Sequence, residues 1–138
     1  MKKRFEKGQR FEPNSSMEIA SESGLSFSLV EAEDSTAATK QFNYTAINEG
    51  TRNEKLSFTT SQRFEYELIS KKDGTIRRYS DGKNFLQVLK DMTISPQEKL
   101  SYTISLPSLE NGDYSLTVYL AARGMGQSRQ TVLFSITK

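Results

Sequence analysis

The chain contains neither cysteine nor histidine among its 138 residues. Without cysteine there is no disulfide, no thiolate metal ligand and no thiol nucleophile, a composition that suits a reducing compartment. Without histidine the usual general base near neutral pH and the commonest metal ligand are missing. Ser-His-Asp, Cys-His and histidine-based zinc chemistry are therefore excluded, and neither catalysis nor a bound cofactor or metal is expected. No apolar run approaches the ~18 residues of a membrane helix. The basic start lacks the apolar stretch of roughly 7–15 residues that completes a signal peptide. A cytoplasmic protein is the expectation, with export or envelope attachment as the alternative if a leader precedes this chain.

The charge is unevenly spread. The net charge is +2, yet residues 1–12 alone hold Lys2, Lys3, Arg4, Lys7 and Arg10 against Glu6 and Glu12, a balance of +3, which leaves −1 for residues 13–138. The body of the chain thus has no broad positive field for nucleic acid. Residues 1–23 show isolated apolar groups without a period, and read as a flexible arm preceding one domain over 24–138.

From Leu25 onward the apolar residues recur every second position, as in a half-buried strand. Leu25, Phe27 and Leu29 begin the series. Phe42, Tyr44 and Ala46 follow, before the turn residues Asn48-Glu49-Gly50. Next come Leu56 and Phe58, then Phe64, Tyr66 and Leu68. Asp73-Gly74 suggests a two-residue type I′ hairpin turn, which needs positive φ at both positions. Leu100, Tyr102, Ile104 and Leu106 alternate, as do Tyr114, Leu116, Val118 and Leu120 after Asn111-Gly112, and finally Val132, Phe134 and Ile136. About eight or nine short strands bounded by turn residues predict an all-β, immunoglobulin-like antiparallel β-sandwich. A small barrel is the alternative. The core is expected to contain Phe27, Leu29, Phe42, Tyr44, Phe58, Phe64, Tyr66, Tyr102, Leu116, Val118 and Phe134. Residues 81–90 fit either a short helical turn or an irregular crossover.

Motifs with chemical content are few and weak. Ser80-Asp81-Gly82-Lys83 has the S-x-x-K spacing by which a lysine activates a serine, but Ser135 to Lys138 repeats that spacing at the chain end, so chance explains it. Glu65 and Glu67 share one strand face opposite the aromatics and read as a solvated face. Glu31, Glu33 and Asp34 lack the spacing of a calcium loop. Gly124-Met125-Gly126 and Gly82-Lys83 do not complete a phosphate-binding fingerprint. Lys71, Lys72, Arg77 and Arg78 form a basic hairpin that reads as protection of a sheet edge.

One ordered set of segments is more specific: Phe58 to Tyr66, the Asp73-Gly74 turn, Arg78-Tyr79-Ser80-Asp81-Gly82-Lys83-Asn84-Phe85-Leu86-Gln87-Val88-Leu89, Thr93 to Glu98, and Leu106-Pro107 with Asn111 to Leu116. In order and spacing these resemble the bacterial intracellular proteinase inhibitor family, the BsuPI domain, over about residues 25–138. The departures are Thr60-Ser61-Gln62 where the family has Ser-Gly-Gln, Pro96-Gln97-Glu98 where it has Pro-Gly-Glu, and the absence of tryptophan.

The resemblance implies a protein-binding domain that inhibits a subtilisin-like serine protease by occluding its cleft, and a monomer is the expectation for its oligomeric state. The alternative is an immunoglobulin-like interaction or structural module of an envelope or multidomain protein, without inhibitory activity. In the family block, Tyr79, Phe85, Val88 and Leu89 are expected to fold back and plug one end of the sandwich. Ser80, Asp81 and Gly82 would make the turn, and Gln87 would satisfy local backbone groups. Partner contacts are expected from Ser61, Gln62 and Arg63 together with Ser80, Asp81, Gly82, Lys83 and Asn84. The loop Gly124 to Arg129 is the competing contact.

Overall fold

The structure, a computed structural model, describes residues 24–138. The arm expected over residues 1–23 lies outside the described residues. Nine strands form: β1 (Leu25–Glu31), β2 (Gln41–Asn48), β3 (Glu54–Phe58), β4 (Phe64–Ser70), β5 (Ile76–Arg78), β6 (Lys90–Ile94), β7 (Lys99–Ser105), β8 (Gly112–Leu120) and β9 (Gln130–Ile136). Every pairing among them is antiparallel. A three-stranded sheet, β1-β2-β7, faces a four-stranded sheet, β5-β4-β8-β9, and β3 pairs with β6 in a separate ribbon. This is the expected all-β, immunoglobulin-like sandwich, not a closed barrel.

The alternation of the sequence becomes the two faces of each sheet. On β2, Phe42, Tyr44 and Ala46 are buried, and on β8 Tyr114, Leu116, Val118 and Leu120 are buried. Each large aliphatic side chain removed from water in this way contributes about 1.5–3 kcal/mol relative to exposure. Across the sandwich, Phe42 meets Phe134 at 5.2 Å between ring centroids, and Phe64 meets Tyr102 at 5.4 Å. Of the expected core, Leu29, Phe42, Tyr44, Phe58, Tyr66, Leu116 and Val118 are buried. Phe27, Phe64, Tyr102 and Phe134 are half-buried rims packed against them, because they lie where the sheets open towards solvent.

Three polar devices fix the strand ends. Tyr114, at the start of β8, donates its hydroxyl to the Glu110 carbonyl at 2.7 Å, the tyrosine corner of immunoglobulin-like sandwiches. The buried Tyr44 hydroxyl donates to the Ser128 carbonyl at 2.8 Å, and burial pushes its pKa up to about 12. Asn48, fully buried at the end of β2, donates through Nδ2 to the carbonyls of Arg52 and Ile94 and accepts from the Gly50 amide at Oδ1. Its own backbone pairs with Glu98 and Gln97. One side chain thus joins β2 to the β3–β6 ribbon and to the turn entering β7.

Two turns carry unexpected chemistry. Ser95 to Glu98 is closed by the Glu98 amide donating to the Ser95 carbonyl at 2.9 Å, with Pro96 second and Gln97 at φ 71°. This is a type II turn, whose third position favours glycine because φ is positive there. The Asp73-Gly74 turn differs from expectation. Gly74 has φ 74° but Asp73 is not at positive φ, and the Gly74 amide bonds back to the Ser70 carbonyl. The connection is a longer loop, with Asp73 capping the Thr75 amide through its side chain, and not a two-residue type I′ turn.

Candidate functional site

The long connection from β5 to β6, residues 79–89, leaves the sandwich at one end and begins with two interlocked turns. The Asp81 amide bonds the Arg78 carbonyl, and the Lys83 amide bonds the Ser80 carbonyl. The Asp81 carboxylate caps the Arg78 amide at 2.8 Å, and Gly82 takes the positive φ of 72° that the second turn requires. No helical turn forms in this segment.

Tyr79 fastens these turns to the sandwich. Its ring lies 4.4 Å from Phe64, 5.8 Å from Tyr66 and 6.2 Å from Phe85. The Lys83 ammonium covers the Tyr79 ring at 4.3 Å. Below it sits Glu65, only 8% exposed. Its carboxylate accepts the Ser80 hydroxyl at 2.6 Å, the Ser80 amide at 3.2 Å and the Tyr66 amide at 2.9 Å. The expectation of a solvated Glu65 is therefore corrected. The turn of residues 78–83 covers that part of the β4 face, and a buried carboxylate persists when donors surround it. Burial and the Glu65 charge raise the Tyr66 pKa, and burial raises that of Tyr102.

The second expected segment lies against the same loop. Ser61 donates its amide to the Leu86 carbonyl at 2.9 Å and accepts the Leu86 amide at its hydroxyl at 3.0 Å. Gln62 bonds the Phe64 carbonyl through its side-chain amide. The Arg63 guanidinium stacks over Phe58 at 4.6 Å and donates to the Thr60 and Gln62 carbonyls. Ser61–Arg63 and the loop containing Ser80–Asn84 are thus joined, and Leu86 is the joint. Asn84 is exposed. Ser80 and Lys83, the S-x-x-K pair, act as supports: the serine hydroxyl is given to Glu65 and the lysine lies on a ring.

The far side of the loop departs from expectation. Tyr79 and Phe85 pack inward, but Leu86 is 70% exposed, Val88 46% and Leu89 81%. Gln87 is exposed and makes no hydrogen bond among the described residues. Neither Val88 nor Leu89 joins the buried cluster, and Leu89 instead borders an open hollow with Ser57, Phe58, Lys90, Asp91 and Arg123. With three apolar side chains displayed within four residues, this side of the loop is not the expected plug. Sequence reasoning missed this patch, because apolar residues without a strand period carry no mark of whether they point in or out. Glu65 was missed for a related reason, since alternation assigns it to solvent and only its later covering by Ser80 reverses that.

The protein-family model described as "Intracellular proteinase inhibitor", BsuPI, matches residues 27–125. The chain belongs to the intracellular proteinase inhibitor family. The matched span contains both segments of the site, the tyrosine corner and the type II turn, so several of the motifs that carry the family resemblance are braces of the sandwich. Membership implies a proteinase partner, and the family is described as intracellular. No curated protein sequence matches the chain.

Among solved structures, β-glucosidase 3B from Thermotoga neapolitana in complex with glucose is similar at 20% identity and a TM-score of 0.46, covering 84% of this chain but 16% of that one. This chain therefore spans a small fraction of that enzyme. A β-glucosidase from Erythrobacter marinus is similar at 10% identity and a TM-score of 0.49, covering 83% of this chain and 16% of that one. A CARDB domain from Pyrococcus furiosus, in complex with di-metal ions, is similar at 10% identity and a TM-score of 0.44, covering 82% of this chain and 87% of that one. Among the described residues of the present chain, no group of three or more acidic side chains is placed to hold a metal ion. No described helix is long and apolar enough to cross a membrane.

Proposed function

We propose that this domain is a monomeric, cytoplasmic inhibitor of a subtilisin-like serine proteinase, and that it works by occluding the substrate cleft. The contacts come from the sandwich end that carries Ser61, Gln62 and Arg63 beside Ser80, Asp81, Gly82, Lys83 and Asn84. The observation that carries this reading is the ordering of that end before any partner arrives. Tyr79 is stacked on Phe64, Ser80 is locked to buried Glu65, and Leu86 is bonded to Ser61. A binding loop held in one conformation avoids part of the entropy cost of association, and tight inhibitors depend on this more than on contact area. Exposed charges such as Lys83 chiefly steer encounter with an acidic cleft rim.

Titration of the purified protein against subtilisin-like proteinases, with residual activity as the readout, tests this. Stoichiometric loss of activity is expected. Replacing Arg63, Asp81 and Lys83 together by alanine should weaken inhibition at least about tenfold, through slower association and a looser loop. A folded triple variant that inhibits like the parent rejects this contact assignment. A parent that inhibits no proteinase of the panel rejects the inhibitor reading, and leaves an interaction module without inhibitory activity.

A further inference from the structure

Residues 58–61 and 86–90 form a small closed arch. At one foot Phe58 pairs with Lys90, where β3 meets β6. At the other foot Ser61 binds Leu86 through both its amide and its hydroxyl. Between the feet, Gln87, Val88 and Leu89 make no backbone hydrogen bond to any described residue. Their amides and carbonyls are free to bond another chain, while both ends of the segment are fixed. Phe58, at the first foot, is a buried core residue, and Leu86, at the second, follows Phe85, which is packed on Tyr79.

A proteinase binds its substrate as an extended segment, using main-chain hydrogen bonds for affinity and pockets for alternate side chains for specificity. The arch has the parts such a cleft takes: unpaired backbone, fixed ends and a protruding apolar side chain. Leu86 cannot serve as the inserted residue, because its amide and carbonyl are both committed to Ser61. Leu89 is the most exposed large apolar side chain described, at 81%. The other large apolar side chains exposed among the described residues, Val30, Ile76 and Leu133, stand singly on β1, β5 and β9.

We propose that Gln87–Leu89 enters the cleft as a substrate-like strand, with Leu89 filling the primary specificity pocket. The target is then a proteinase whose pocket accepts a large aliphatic side chain. The inference rests on the inhibitor reading and adds to it the inserted residue and the pocket chemistry. It also moves the centre of contact from Ser80–Asn84 to the far side of the same loop.

The test is inhibition by the parent, Leu89→Ala and Leu89→Arg, measured against subtilisin and chymotrypsin, whose pockets are apolar, and against trypsin, whose pocket is acidic. Both variants should keep the parent's melting temperature, because Leu89 is exposed. The parent should inhibit an apolar-pocket enzyme in preference to trypsin. Leu89→Ala should raise the inhibition constant by about 30-fold or more, the effect of losing one dominant anchor. Leu89→Arg should lose the apolar-pocket enzyme to a similar degree. Variants within about threefold of an inhibitory parent, a change too small for a filled pocket, overturn this inference and leave the inhibitor reading standing. A parent without inhibition of any enzyme overturns both.

Discussion

Asn48→Asp keeps the shape of the buried side chain and exchanges its amide donor for an acceptor. In the native fold Nδ2 gives one hydrogen bond to the Ile94 carbonyl at 2.8 Å and another to the Arg52 carbonyl at 2.7 Å. The introduced oxygen would face both carbonyls and bond neither. Each lost donor to a buried or half-buried carbonyl costs about 1–3 kcal/mol, and a carboxylate adds its own desolvation, so a loss of about 4 kcal/mol is expected at neutral pH. That is a large part of the 5–15 kcal/mol that typically stabilises a domain.

The pH dependence has a definite sign. Burial against carbonyl oxygens raises the pKa of the introduced carboxyl in the folded state. Stability is then best retained below the unfolded value of about 3.9 and is lost as pH rises through the folded value. Urea unfolding at pH 4 and pH 7 should show the variant nearer the parent at the lower pH. A loss below about 1 kcal/mol at pH 7, or a gap that narrows as pH rises, would refute this account of Asn48. Because Ile94 ends the strand that Lys90 begins, the same variant should loosen the arch foot at Lys90.

Other perturbations give separate outcomes. Gln97→Gly should stabilise by about 0.5–1 kcal/mol, relief of the positive φ at the type II turn exceeding the added freedom of the unfolded chain, and Gln97→Val should destabilise; thermal melts check both. Glu65→Ala should cost about 2 kcal/mol by leaving Ser80 unbound, and should speed amide exchange at Ser61 and Leu86 before it affects β8. Tyr44 is held protonated by burial to about 12 against an ordinary value near 10. A raised pKa gives stability that is complete below pH 10 and lost as pH climbs towards 12, by about 2–3 kcal/mol. Alkaline unfolding followed by tyrosine absorbance should begin in that window.

The sandwich was legible because its strands obey one rule. Period-two alternation marked β2, β4, β7 and β8 wherever one sheet face meets the core, and turn residues marked their ends. Legibility failed where a residue's environment is made by a distant segment. Glu65 alternates like a surface residue until Ser80 covers it, and Asn48 looks like turn chemistry until the Ile94 carbonyl reaches it. At the candidate site, the family block marked the β5–β6 loop, and the turn expected at Ser80 to Gly82 forms there. It could not separate Phe85, which packs on Tyr79, from Leu89, which is exposed outside the buried cluster. Hydrophobicity alone is the same for both, and only the ring contact that Phe85 makes with Tyr79 distinguishes them.

The most direct measurement of the central claim is amide exchange of the protein alone and in complex with a proteinase it inhibits. Gln87, Val88 and Leu89 have no backbone partner among the described residues, so their amides should exchange fast alone and become strongly protected in the complex, with weaker protection at Ser61–Arg63 and Ser80–Asn84. Protection confined to Gly124–Arg129, with Gln87–Leu89 exchanging as fast as in the free protein, would contradict it.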